Sequence, residues 1–358
     1  EVILLQMLTC FEIDGCGVGS GYPPYIVAEL SANHNGKLSN ALKVIEAAAS
    51  AGVNAIKLQT YTPETLTIDH HSSDFQLTEG PWAGKSLYEL YEIAHTPWEW
   101  HETLFSRGRD LGLSVFSTPF DQSSVDFLEQ FNPPVYKIAS FEIVDLPLIE
   151  YVSQTGKPLI ISTGMASDSE IQEAVDTARS AGCKYICLLH CTSGYPTPPT
   201  ETRLQEIPRI RNQFDVIAGL SDHTLGTTVP VVAVAMGAAI VEKHVTLSRS
   251  EGGPDSEFSM EPAELRQLTK EVHIAYASLE NSQKPLQPSE IPQKSLRRSL
   301  YAVADIKAGE RFDFNNVRSI RPGYGLPPRE MPNLIGKIAA RDITRGTPIS
   351  RSMIVKNA

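Results

Sequence analysis

Two histidines each follow a short apolar run: His223 in GLSDHTLG and His244 in AAIVEKHVTL. Imidazoles at the ends of consecutive strands can converge on one metal ion. With only two protein ligands, the remaining positions would go to water and substrate, which favours an open or octahedral site. A single His behind a strand is more often a hydrogen-bonding structural residue; the matched positions favour the ligand reading for this pair. Lys57 and Lys137 lie in two further apolar runs. A buried lysine is costly unless negative charge meets it. With Thr118, Ser140 and Ser162, the two would form a compact anion site, suited to a phosphate and a carboxylate on one small molecule. The same residues allow a lysine that points outward along its stem, or one that forms a Schiff base. Glu29 and Asp255 could bind sugar hydroxyls or act as general base, and Asp255 could equally cap a helix. Ser221, Asp222 and His223 do not make a triad, because adjacent residues of an extended chain point apart. His70 and His71, in a long loop, read as solvated.

The elements that must carry these residues repeat one theme. Apolar runs fall at 25–29, 55–59, 114–118, 135–139, 159–162, 185–190, 216–219 and 239–243. Most are continuous, as expected of parallel strands covered on both faces. Between them lie amphipathic helices with readable ends. Ser39 can cap one that Gly52 stops, Thr96-Pro97-Trp98-Glu99 reads as a capping box, and so does Ser167-Asp168-Ser169-Glu170, with Gly182 as its stop. Eight strand–helix units in about 260 residues predict an α/β fold of the (β/α)8 TIM-barrel class. A doubly wound open sheet is the runner-up, weakened because no G-x-G-x-x-G follows the first strand.

In such a barrel, polar residues at the C-terminal strand ends face the active site. Those positions are Glu29, Lys57 and Gln59, Ser117-Thr118, Lys137 and Ser140, Ser162-Thr163-Gly164, 190–193, His223 and His244. The connection from 60 to 95 is longer than usual and would lie over that mouth as a lid or wall.

The chain divides into a leader (1–23), the barrel (24–281), a Pro/Ser/Gln-rich linker (282–295) and a tail domain (296–358). The tail repeats D-I-x-x-G-x-x-Φ-x-x-x-x-Φ (Φ apolar) from Asp305 and from Asp342, which predicts a small pseudo-symmetric domain. It holds 12 Lys/Arg and 5 Asp/Glu, a net of +7. The rest holds 19 and 37, a net of −18. A basic tail on an acidic body suggests docking between the two, or help in holding an anion. The overall charge of −11 argues against nucleic acid as a partner. No apolar run approaches a membrane span, and the run 1–8 lacks a basic leader and is too short for a signal peptide. Five cysteines without a CxxC pair suggest reduced thiols and a cytoplasmic protein.

AELSANHNG, AIKLQT, FSTPF, YKIASFE, ISTGM, HCTSGYPTP, GLSDHT, EKH and GGPDSEFSM, in this order, closely resemble the sialic acid synthase family. The tail, with its repeat and IRPGYGLPP, is similar to the antifreeze-like (SAF) domain of those enzymes. Ala28-Glu29-Leu30-Ser31-Ala32-Asn33-His34 and GPWAGKSLYELYEIAHTPWEWH resemble the pseudaminic branch most.

The resemblance implies condensation of phosphoenolpyruvate with an amino-sugar aldehyde, 2,4-diacetamido-2,4,6-trideoxy-altrose in that branch, to a nine-carbon 2-keto acid and phosphate. It implies phosphoenolpyruvate binding by Lys57, Thr118, Lys137, Ser140, Ser162 and Ser221. It also implies a divalent metal, manganese with magnesium or cobalt as substitutes, on His223 and His244. Glu29, Gln59, Tyr195 and Asp255 would meet the sugar, with Glu29 transferring a proton. Arg321 would reach the acyl group from a partner subunit in a domain-swapped homodimer. The alternatives are a neuraminate or legionaminate synthase with the same mechanism, a class I barrel aldolase that needs a reactive lysine and no metal, and a non-catalytic glycan- or ice-binding protein.

Overall fold

The computed structural model describes residues 10–80, 82–279 and 286–355. The leader's first nine residues and linker positions 282–285 lie outside them. Two compact units divide the chain, Glu1–Glu280 and Asn281–Ala358.

The first unit contains eight parallel strands: β1 Tyr25–Glu29, β2 Ala55–Thr60, β3 Ser114–Pro119, β4 Tyr136–Ile138, β5 Leu159–Ser162, β6 Ile186–Cys191, β7 Ile217–Asp222 and β8 Ile240–His244. They pair in the order β3-β2-β1-β8-β7-β6-β5-β4. β3 and β4 lie side by side without a ladder, so the sheet curls into a near-closed TIM-type barrel. The strand runs read from the sequence match within two residues at each end except at the end of β7, and almost every strand residue is buried, as continuous apolar runs require.

Alternation along the strands sorts these residues into two layers. Outward side chains such as Ile26, Ile56, Val115, Ile138, Ile161, Leu188, Leu220 and Val241 pack against the surrounding helices. Inward ones form a second cluster at the barrel base: Tyr25, Val27, Ala55, Phe116, Val135, Ile160, Cys187, Ile217 and Ile240. A hairpin, Cys10–Ile13 paired with Cys16–Gly19, pushes Phe11, Ile13 and Val18 into that cluster. The stretch read as a leader therefore plugs the barrel. Its turn needs Asp14 and Gly15 both at positive φ, 48° and 78°, the conformation that Asp-Gly supplies.

Several local expectations are corrected. Ser39 lies inside the helix Leu38–Ala51, which begins at Lys37 without a side-chain cap; Gly52 does end it, in the left-handed conformation. Thr96 makes no capping box. Its hydroxyl is buried without a hydrogen bond, and Pro97 precedes a 3-10 turn, Trp98–Trp100, that leads into the helix His101–Asp110. The box at Ser167 and Glu170 forms as expected. The long connection after β2 contains a helix of its own, Leu87–Ala94, capped by Ser86 and Glu89.

In the second unit the two copies of the repeat pair about a pseudo-dyad. Ile306 and Ile343 exchange backbone hydrogen bonds of 2.8 Å each way. Asp342 accepts from Ala308 N at 2.9 Å, and Asp305 accepts from Arg345 N at 2.8 Å. Phe312, Val317, Ile349 and both isoleucines fill its separate core.

Candidate active site

The inward alternation that is apolar at the barrel base turns polar toward the C-terminal strand ends. Two residues above Val27 comes Glu29, above Ala55 comes Lys57, above Phe116 comes Thr118 and above Val135 comes Lys137. Likewise Ser162 follows Ile160, Ser221 stands four residues above Ile217, and Glu242 follows Ile240. All seven are buried.

Their charges interlock. Lys57 Nζ is 2.8 Å from Glu29 Oε2 and 3.6 Å from Glu242 Oε1, and Lys137 Nζ is also 3.6 Å from Glu242 Oε1. Lys137 donates to Ser162 Oγ at 2.7 Å, Lys57 to Thr118 Oγ1 at 3.3 Å, and Ser221 Oγ to Glu242 at 3.2 Å. Burial opposes the charge on Lys57, but Glu242 and Glu29 hold its pKa above the usual lysine value. Burial wins at Lys137 and lowers it. Burial also raises Glu29 despite Lys57. At Glu242 burial is outweighed by Lys137 and Lys57, so its carboxyl sits below the ordinary range. Neither lysine points outward. The buried lysine that does face the helices is Lys243, 2.8 Å from Asp222.

Glu242 is the main residue that sequence reasoning missed. It is two positions before His244 and shares its face, so strand alternation could have found it. Glu142 was missed as well: burial lifts its carboxyl to about 7, with Lys137 opposing in part.

Gln59 Nε2 donates to Glu29 Oε1 at 3.0 Å and to Ser31 Oγ at 3.1 Å. Ser31 in turn donates a short bond to Asp255 Oδ2. Asp255 caps no helix; it is buried, its pKa is raised by that burial, and it stands 4.0 Å from His244 Nδ1. Ser140 Oγ accepts from Gly164 N at 3.1 Å. A Cβ on Gly164 would collide with Ser140 and Ser193, so only glycine lets the three strand ends approach this closely.

The imidazoles of His223 and His244 are 5.3 Å apart between centroids. His223 Nδ1 lies 3.1 Å from the Thr192 carbonyl, which can only accept, so Nδ1 carries a proton. Burial opposes charge on the ring, but Cys191, 3.9 Å from Nδ1, holds its pKa above the usual histidine value. Burial, then His223 and the lysines, pushes His244 well below the usual histidine value and keeps it neutral. Its Nδ1 is buried without a hydrogen bond. A neutral His244 with an unbonded Nδ1, beside His223, suits an open cation site. Among the described residues, no three His, Cys, Asp or Glu side chains converge as ligands, so water or substrate would complete the shell.

Phe258 packs on both histidine rings, at 5.9 and 5.0 Å. Tyr195 lies 4.5 Å from His223, and Trp82 of the long loop lies 5.5 Å from Tyr195.

Two expected site positions, Ser117 and His190, serve the scaffold instead. Ser117 faces outward to Thr60, which also meets His101. His190 bonds the Thr202 carbonyl at 2.6 Å. Asn33 ties the first loop to Val245 and Ser259. Arg321 belongs to the other unit, exposed beyond the strand Val317–Ile320. His70 and His71 are exposed.

Among the described residues, four of the ten buried side-chain polar atoms without a hydrogen-bond partner lie together at the mouth: Glu142 Oε2, Ser193 Oγ, Glu242 Oε2 and His244 Nδ1. Folded proteins satisfy nearly all such atoms, so this clustering marks where a polar ligand would complete the bonding.

Residues 44–284 match the NeuB family and 297–355 the SAF domain. The chain is 41% identical to a pseudaminic acid synthase of Campylobacter jejuni, over 92% of this chain and 96% of that protein. It is 34% identical to an N,N'-diacetyllegionaminic acid synthase of Legionella pneumophila, over 92% and 94% respectively. Among solved structures, the N-acetylneuraminic acid synthetase of Leptospira borgpetersenii superposes with a TM-score of 0.71 at 32% identity, covering 79% of this chain and 94% of that one.

Proposed function

The chain belongs to the NeuB family, and from that premise we propose that it is a pseudaminic acid synthase. It would condense phosphoenolpyruvate, 2,4-diacetamido-2,4,6-trideoxy-β-L-altrose and water to the nine-carbon 2-keto acid and phosphate. The observation that carries this reading is the pair of buried lysines sharing one carboxylate beside two histidine rings 5.3 Å apart. A trianionic enol phosphate needs cations, and an aldehyde needs an electrophilic partner.

Lys57 and Lys137 meet the carboxylate and phosphate of phosphoenolpyruvate, with Thr118, Ser140, Ser162 and Ser221 donating hydroxyl hydrogen bonds. His223 and His244 would hold a divalent cation, manganese by preference, which supplies Lewis acidity toward the aldehyde oxygen when bound. Gln59, Tyr195 and Asp255 orient the sugar so that the enol carbon faces C1. Bond formation there breaks the C1=O π bond, the aldehyde oxygen takes a proton, and C2 is left electron-poor. Water adds to C2 and gives one proton to a carboxylate; the C2–O bond to phosphate then breaks as C2=O forms, and the second water proton leaves with the phosphate. Glu29 and Glu142 are the candidates for proton transfer, since burial raises both toward the range where a carboxyl can give and take a proton near neutrality.

Opposite net charges on tail and body support a homodimer in which the SAF domain covers the partner's barrel mouth and Arg321 reaches the sugar's acyl group; a cytoplasmic location is part of the same proposal. Exposed apolar side chains on the loops around that mouth, Phe141, Val144, Met165 and Leu225, offer the surface. No helix among the described residues is long and apolar enough to cross a membrane.

The test is phosphate release from phosphoenolpyruvate with Mn2+, comparing the altrose sugar, the legionaminic-pathway mannose sugar and N-acetylmannosamine. Preference for the first, abolished by EDTA, supports the reading. Turnover of the second instead would move the chain to the legionaminate branch, which the Legionella relative makes the second reading. EDTA-resistant turnover would remove the metal.

A further inference from the structure

The mouth has two chemically different sides. Glu29, Lys57, Gln59 and Asp255 are polar. Beyond them, aromatic rings climb away from the histidines. Phe258 touches both imidazoles, Tyr195 touches His223 and Phe258, and Trp82 touches Tyr195. Exposure rises along the same path, from buried Phe258 to half-buried Trp82. A substrate with its aldehyde carbon at the histidines therefore runs past Tyr195 toward Trp82. An open six-carbon chain spans roughly 6 Å, from five bonds of about 1.5 Å each, enough to pass Tyr195, 4.5 Å from His223, and bring its far carbon toward the indole 5.5 Å beyond.

Trp82 has no donor left to offer there. Its Nε1–H is committed to the Pro254 carbonyl at 2.9 Å, next to Asp255. The indole face can cover a methyl group, but it cannot satisfy a hydroxyl.

We infer that Trp82 is a specificity-determining residue, the apolar end wall that selects sugars whose C6 is a methyl rather than a hydroxymethyl group. This deepens the synthase reading and rests on it. The loop that carries Trp82 comes from the connection after β2, so the wall is set apart from the charged layer that would bind the phosphate.

The experiment compares kcat/KM for the 2,4-diacetamido-2,4,6-trideoxy sugar with that for its analogue bearing a 6-hydroxyl, in wild type, Trp82→Ala and Trp82→Phe. Wild type should prefer the deoxy sugar. W82A should lower that preference about tenfold, the scale of one small group in an apolar pocket. W82F, which keeps an aromatic face and loses the bond to Pro254, should retain most of it. Equal losses on both sugars in W82A would overturn the inference, because Trp82 would then only pin its loop. Loss of preference in W82F as large as in W82A would overturn it too, assigning the effect to the Pro254 bond. Wild type that turns over N-acetylmannosamine and neither test sugar would instead overturn the pseudaminic reading, and the wall with it.

Discussion

Replacing Glu242 by Gln removes the negative charge that both interior lysines share. Glu242 Oε1 is 3.6 Å from each Nζ. At an effective dielectric of about 20, each attraction is worth roughly 4–5 kcal/mol before desolvation. Lys57 keeps Glu29 at 2.8 Å, whereas Lys137 keeps only the Ser162 hydroxyl. Breaking a buried pair from one side costs about 3–5 kcal/mol. The glutamine can still accept from Ser221, so we expect a loss of about 3 kcal/mol, at the lower end of that range. Urea unfolding at pH 7 without phosphate measures it. All three tryptophans, Trp82, Trp98 and Trp100, lie in the barrel unit, so fluorescence follows that unit. The sign with pH is fixed. Glu242 is held below the ordinary glutamate value of about 4.3, so its contribution is present above that pH and lost as pH falls through its folded value. The gap between wild type and E242Q should therefore close in acid. The freed lysine charge should also bind inorganic phosphate more tightly, so a fixed phosphate concentration stabilises E242Q more than wild type. Equal stability of the two proteins at pH 7, or weaker phosphate binding in the variant, would refute the shared-counterion reasoning.

Burial lowers His101 to about 4. Its stabilising neutrality is complete above the unfolded value near 6.5 and erodes as pH falls toward 4. His101→Gln should flatten the stability–pH slope across that window by about 1.4 kcal/mol per pH unit; an unchanged slope in urea titrations would show that the ring already titrates freely. Ser162→Ala strips Lys137 of its 2.7 Å partner and should raise the KM for phosphoenolpyruvate about tenfold, with a smaller effect on kcat; an unchanged KM would place the anion elsewhere. Mixing Lys57→Ala with Arg321→Ala, each inactive alone, should restore about a quarter of the activity if sites are shared across a two-fold dimer. No recovery after subunit exchange would make each active site a single-chain affair.

The fold was legible because every barrel strand is a short, nearly uninterrupted apolar run, and burial on two faces leaves little other solution. The His223 and His244 pair was legible from position alone. Glu242 was not, although it shares a face with His244, because a charge two residues from a metal-binding candidate reads as an ordinary strand-end acid until Lys57 and Lys137 are seen to converge on it. Ser117 and His190 were misplaced by the reverse error: strand-end polarity was read without its face, and alternation sends both toward the helices. The Thr96 box failed because Pro97 delays the helix to His101, which leaves Thr96 without a helix to cap. The hairpin 10–19 carried only a local turn signal. Nothing in its sequence says that Phe11, Ile13 and Val18 close the base of a barrel whose strands lie far along the chain.

Glu242 also explains how such a charged layer can exist before any ligand arrives. Two lysines alone inside a barrel would cost more than the fold could bear. Two glutamates beside them make the layer neutral, and Lys57 bridges both. That neutrality has a consequence for binding. A phosphate that approaches Lys137 must displace a carboxylate already holding it at 3.6 Å, so the incoming anion replaces one counterion with another instead of neutralising bare charge. The displaced Glu242 becomes more basic as its lysines turn to the ligand, because the interactions that lowered its pKa are those now shared. Binding of an anion would thus leave Glu242 a more basic carboxylate than it is in the free protein.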